Sequence, residues 1–81
     1  MTRDEIQKVV FAILSQIAPE TDPATLAADD NLRKTLDIDS FDALNFFIRI
    51  DETLGVSVPE ADYGKLNSLG QILEYLTDRV K

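Results

Sequence analysis

Asp39-Ser40-Phe41-Asp42-Ala43-Leu44-Asn45-Phe46-Phe47-Ile48-Arg49-Ile50-Asp51-Glu52-Thr53-Leu54-Gly55 is the stretch that decides the fold. Ala43, Phe46, Phe47, Ile50 and Leu54 recur at i, i+3, i+4, i+7 and i+11, one apolar stripe of an amphipathic helix. Gly55 supplies the left-handed residue on which such helices end, so a helix is predicted over about residues 40–54. Phe41, Leu44 and Ile48 form a second stripe, at i, i+3 and i+7, rotated away from the first. A chain of 81 residues has one thin core, and it cannot bury both stripes. The second is expected to emerge beside Ser40 as an apolar patch rimmed by Asp39, Asp42 and Asp51, the make-up of an interaction surface. The competing expectation folds Phe41 and Leu44 beneath a loop.

Working outward, Thr2 and Glu5 form a capping box ahead of Ile6, Val9, Val10, Ile13, Leu14 and Ile17, again one helical stripe. Pro19 stops it, so the first helix is placed at about residues 3–17. Residues 19 to 38 read as a long connection without sustained periodicity. Asp22-Pro23 can start a single turn over about residues 23–28, and Leu26, Leu32, Leu36 and Ile38 can pin the connection to a core. So long a loop in a small domain points to function. After Gly55, an extended link through Val56 and Val58 leads to Pro59 and a brief helix over about residues 60–65, with Tyr63 and Leu66 turned inward. Ser68 and Gln71 form a second capping box, opening a last helix with Leu69, Ile72, Leu73, Leu76 and Val80 on one stripe. The fold class is all-α: a single domain over residues 1–81, built as a small three-to-four-helix bundle with a long loop between its first two long helices.

The chain has no His and no Cys, which excludes disulfides, thiolate metal sites and the commonest general base. Ser40 stands among Asp37, Asp39 and Asp42 with nothing to activate it, since no Lys lies between Lys34 and Lys65. A hydrolase or transferase is therefore disfavoured, and the serine reads either as ordinary helix-start chemistry or as a residue modified by another enzyme. A helix N-terminus, with free backbone N–H groups and a positive dipole end, suits a phosphate ester on that serine. A calcium loop is rejected: Phe41 falls where an oxygen ligand belongs, Asp42 where the glycine belongs and Ile48 where the closing Glu belongs.

Net charge is −7, and residues 29–62 hold nine acids against three bases, so this stretch alone carries −6. Such a surface repels nucleic acid and attracts basic protein partners. No apolar run approaches a membrane span and no basic-then-apolar leader is seen, so a soluble, cytoplasmic monomer is expected.

Three segments in register resemble the acyl carrier protein family. Leu36-Asp37-Ile38-Asp39-Ser40-Phe41-Asp42 is similar to its Leu-Gly-x-Asp-Ser-Leu-Asp motif, and Gly55-Val56-Ser57-Val58-Pro59-Glu60 to its Gly-Ile-x-Ile-Pro-Asp/Glu stretch. Ser68-Leu69-Gly70-Gln71-Ile72 sits where the family opens its last helix with Thr/Ser-Val-x-Asp and an apolar residue. The resemblance implies a non-enzymatic carrier. Ser40, flanked by Asp39 and Phe41, would bear a 4′-phosphopantetheine arm taken from coenzyme A by a Mg2+-dependent phosphopantetheinyl transferase. The arm's thiol would hold acyl, polyketide or aminoacyl cargo as a thioester. Asp37, Asp42, Leu44, Asn45, Ile48, Arg49, Asp51 and Glu52 would face the basic docking patches of enzymes that load and consume that cargo.

The departures from the pattern are Asp37 for glycine, Phe41 for leucine, Asn45 for the usual Glu and Arg49 for a small residue. They imply a specialised carrier with dedicated partners, against the rival view of a housekeeping one. The bulk of Phe46 and Phe47 is expected to shrink any cavity beneath the second long helix, and so to weaken sequestration of a bound chain. The alternative to a carrier is an acidic helical adaptor that offers Phe41, Leu44 and Ile48 to a partner and bears no prosthetic group.

Overall fold

The computed structural model describes residues 2–20 and 22–80. Helix α1 runs Arg3–Ile17, α2 Leu32–Thr35, α3 Ser40–Leu54 and α4 Leu69–Arg79, with single 3₁₀ segments at Pro23–Thr25 and Glu60–Lys65. Both capping boxes form: Glu5 N–H donates to Thr2 Oγ1 at 3.2 Å, and Gln71 N–H donates to Ser68 Oγ at 3.2 Å. Gly55 takes φ 69° at the end of α3, the left-handed conformation a side chain would resist.

Helix α1 packs against both α3 and α4. The core joins Ile6, Val10, Ile13 and Leu14 of α1 to Phe46, Phe47 and Ile50 of α3 and Ile72, Leu73 and Leu76 of α4. Each of these sets is the apolar stripe read from its own segment, because a surface helix gains stability mainly by burying one face. Leu66 is buried as expected, while Tyr63 is half-buried.

The long connection is more structured than its lack of periodicity implies. Leu32, Leu36 and Ile38 are buried, and Leu26 packs partly against the core. Between them stands α2, four residues capped by Asn31, whose Oδ1 accepts from Lys34 N–H at 3.1 Å. One turn is too short to show a repeat, which is why the connection reads as loop. The expected turn over residues 23–28 is also shorter in fact, Pro23–Thr25, with Asp22 accepting from Ala24 N–H at 3.0 Å.

Two backbone bonds fasten the connection to the start of α4. Leu32 N–H donates to Asn67 O at 2.8 Å, and Gly70 N–H donates to Ala28 O at 2.8 Å. A Cβ at Gly70 would stand 3.1 Å from that same oxygen, so the approach favours glycine. The only strand-type pairing among the described residues is the isolated Asn31–Ser68 bridge.

Candidate functional site

Asp39 caps α3 with extended backbone, φ −91° and ψ −175°, and its Oδ1 accepts from Asp42 N–H at 2.9 Å. Capping therefore belongs to Asp39, and Ser40, the first helical residue, keeps its hydroxyl for other partners. Ser40 is exposed. Its oxygen accepts a hydrogen bond from an Arg33 Nη2 at 3.2 Å. A guanidinium has only donors and stays protonated, so Arg33 is no base, and the serine still has nothing to activate it among the described residues.

Arg33 was not singled out from the sequence as a site residue. What brings it to Ser40 is the end of α2. Asp37 takes φ 53°, and Ile38 N–H donates back to Arg33 O at 3.1 Å. This is the long bond of a Schellman motif, with Asp37 in the left-handed position just past the helix. The chain reverses there and sets α2 beside the start of α3. The glycine expected at residue 37 from the resemblance thus has a conformational reason, and Asp is among the few other residues that tolerate that region.

The second stripe of α3 is exposed, not folded beneath the loop. Phe41 is 77% exposed, Leu44 42% and Ile48 44%. At about 100° per residue, Phe41, Asn45, Ile48 and Glu52 share the outward face, while Leu44 and Asp51 lie on its Ser40 flank. Asp37, Asn45, Asp51 and Glu52 are exposed and Asp42 is half-buried. On the opposite flank, Arg49 donates to Gln16 of α1. The structure thus brings Ser40, Phe41, Leu44, Asn45, Ile48, Asp51 and Glu52 to one surface, and it sets Arg49 at the edge, engaged with the body of the protein.

A cleft of about 350 Å³ opens at Ser40 and Phe41 and runs inward past Leu32, Ile38, Phe46, Phe47, Leu66 and Ile72. The two phenylalanines line this space and do not fill it. Phe47 is drawn onto Tyr63 in a parallel stack with centroids 4.4 Å apart, and Phe46 meets Phe47 edge-on at 5.2 Å. Tyr63, stacked on the face of Phe47, lines the same cleft.

Among the described residues no three His, Cys, Asp or Glu side chains converge as a metal site would require, and no helix is long and apolar enough to cross a membrane. An exposed hydroxyl free of capping duty, at a helix start and beside a guanidinium, fits a phosphate ester.

Comparison with known proteins agrees with that chemistry. The family model described as "Phosphopantetheine attachment site" matches residues 8–76. The acyl carrier protein of Lactobacillus johnsonii is 31% identical over 77 residues, covering 94% of this chain and 94% of that protein. That of Amoebophilus asiaticus is 30% identical, covering 91% and 90%, and that of Rhodococcus erythropolis 30%, covering 86% and 80%. A mitochondrial relative in Schizosaccharomyces pombe, named as a putative acyl carrier protein, is 23% identical over 95% of this chain. The chain belongs to the phosphopantetheine-bearing acyl carrier protein family, whose members are carriers and not enzymes.

Proposed function

We propose that the chain works as a single carrier domain, bearing its 4′-phosphopantetheine on Ser40 and delivering thioester-bound cargo to enzymes that dock on the outer face of α3. The observation that carries this reading is the division of labour at the start of α3. Asp39 caps the helix, which leaves the exposed Ser40 hydroxyl at the mouth of an apolar cleft. The base would come from the transferase, since Ser40 has no His, Cys or nearby Lys in this sequence to activate it.

Partner choice rests on the exposed Phe41, Leu44, Asn45 and Ile48 with the carboxylates of Asp37, Asp51 and Glu52. Aromatic and aliphatic anchors rimmed by charge supply contact energy and steering respectively. Phe41 and Asn45 make this face more aromatic and less acidic than the usual family pattern, which favours dedicated partners. Arg49, tied to Gln16, contributes at the rim.

The test is intact mass after incubation with coenzyme A, Mg2+ and a broad-specificity phosphopantetheinyl transferase. Wild type is expected to gain one phosphopantetheine increment and Ser40→Ala none. A wild type that gains nothing overturns the reading and leaves the acidic adaptor in its place.

A further inference from the structure

We propose that Arg33 holds the phosphodiester of the phosphopantetheine arm against the protein, a positioning role that rests on Ser40 being the attachment point. Of the three bases in the acidic stretch 29–62, Arg49 is bound to Gln16 of α1, and Lys34 makes no side-chain hydrogen bond or ion pair among the described residues. Arg33 is the one whose side chain reaches the serine, with Nη2 3.2 Å from Oγ. Three carboxylates, Asp37, Asp39 and Asp42, lie close to it in sequence, yet it makes no ion pair among the described residues.

In the unmodified chain this bond joins a cation to a neutral hydroxyl oxygen. Esterification removes the hydroxyl proton and places a full negative charge on the non-bridging oxygens, two covalent bonds beyond Oγ. The same guanidinium then faces an anion, so attraction between opposite charges is added to a bond whose donor alone was ionised, and its planar fork matches two phosphate oxygens. The contact is thus weak before the arm arrives and stronger afterwards, so it serves the loaded carrier more than the free fold. Its base is firm, because α2 is anchored by buried Leu32 and Leu36 and by the Leu32 N–H bond to Asn67 O. Arg33 and Ser40 both line the cleft, so a phosphodiester joined to both lies at its mouth. Both groups are exposed, and a bias of roughly two- to five-fold toward the docked arm is expected, the range for a surface charge pair.

Nuclear magnetic resonance on the full chain tests this, with loading checked by intact mass. On conversion of wild type to the phosphopantetheine form, the Arg33 Nε–Hε resonance is expected to shift by more than its linewidth, and that of Arg49 to stay in place. The phosphorus resonance of the loaded chain is expected to move in Arg33→Gln and to stay in Lys34→Gln, which removes the same charge one residue away. Raising salt from about 0.01 to about 1 M, which cuts the Debye length from about 30 to about 3 Å, is expected to bring the wild-type phosphorus resonance toward that of Arg33→Gln.

A loaded wild type whose Arg33 resonance does not move overturns the role of Arg33 while leaving Ser40 as the attachment point. Equal phosphorus shifts in Arg33→Gln and Lys34→Gln overturn it too, since only net charge would then matter. A wild type that takes no arm overturns the attachment reading and this inference with it. The wild-type comparison needs no variant, and it decides the matter even where Arg33→Gln loads poorly.

Discussion

Phe47 of α3 and Tyr63 of the Glu60–Lys65 segment stack with centroids 4.4 Å apart and planes 18° from parallel. That stack ties α3 to the segment opposite and forms one wall of the cleft that opens at Ser40. The cleft, of about 350 Å³, is in the size range of small-ligand pockets. Loading an octanoyl chain on the arm is therefore expected to shift methyl resonances of Leu32, Ile38 and Ile72, which line the space. Those of Ile6 and Val10, elsewhere in the core, should stay in place. Unmoved Leu32, Ile38 and Ile72 methyls would show that the chain stays outside, as the bulk of two phenylalanines alone implies.

Asp39 and Ser40 are neighbours with separable roles. Asp39→Ala removes the cap of α3 and is expected to cost about 1 kcal/mol of stability in urea unfolding. Ser40→Ala removes no cap and is expected to stay within about 0.5 kcal/mol of wild type, as surface substitutions do, while abolishing loading. A large loss of stability in Ser40→Ala would mean that the serine serves the fold.

Asp37 carries a left-handed backbone at φ 53° that a glycine adopts without strain. Asp37→Gly is expected to stabilise the fold by about 0.5 to 1 kcal/mol, the relief of strain outweighing the added freedom of the unfolded chain. In a domain of this size each kcal/mol corresponds to about 4–8 °C in thermal midpoint. A lowered midpoint would indicate that the Asp37 side chain makes a stabilising contact.

Leu44 is 42% exposed, so Leu44→Asp is expected to leave the thermal midpoint nearly unchanged. The same change places a charge in the apolar patch beside Ser40. It should lower kcat/KM for loading by the transferase about ten-fold or more, as expected for a contact worth over 1 kcal/mol. An unchanged kcat/KM would place the docking surface elsewhere.

Tyr75 of α4 donates to Asp62 Oδ2 at 2.8 Å, and the Arg79 guanidinium lies 3.5 Å from the centre of its ring. Burial first, and the hydrogen bond to Asp62 second, push its phenol above the ordinary value of 10.0. A raised folded value means that stability is complete below the unfolded value and falls as pH rises through the folded one. Unfolding free energy followed into the alkaline range should therefore drop above about pH 10 in wild type, and drop less in Tyr75→Phe. At neutral pH the Phe variant should lose about 1 kcal/mol, the worth of the hydrogen bond. Equal alkaline slopes would show that Tyr75 is not the titrating group.

The three long helices, their caps and the exposed second stripe of α3 were legible in the sequence, because each depends on spacing within a single segment. Thr2 with Glu5, Ser68 with Gln71, and Gly55 mark the ends of their helices by local hydrogen bonding and backbone conformation, before any packing. The attachment motif was equally local. Helix α2 was not legible, since four residues cannot display a period.

Other features belong to tertiary structure. Arg33 reaches Ser40 only because the left-handed Asp37 turns the chain back after α2, and only because Leu32 and Leu36 bury that turn against the core. Arg49 is held by Gln16, a residue 33 positions away. Phe47, which lines the cleft that Ser40 also lines, is stacked by Tyr63 from another segment. Spacing within one segment selects the serine that is presented and the apolar face around it. Packing decided which cation meets that serine and how much space lies beneath it, because those depend on how segments far apart in the chain share one small core.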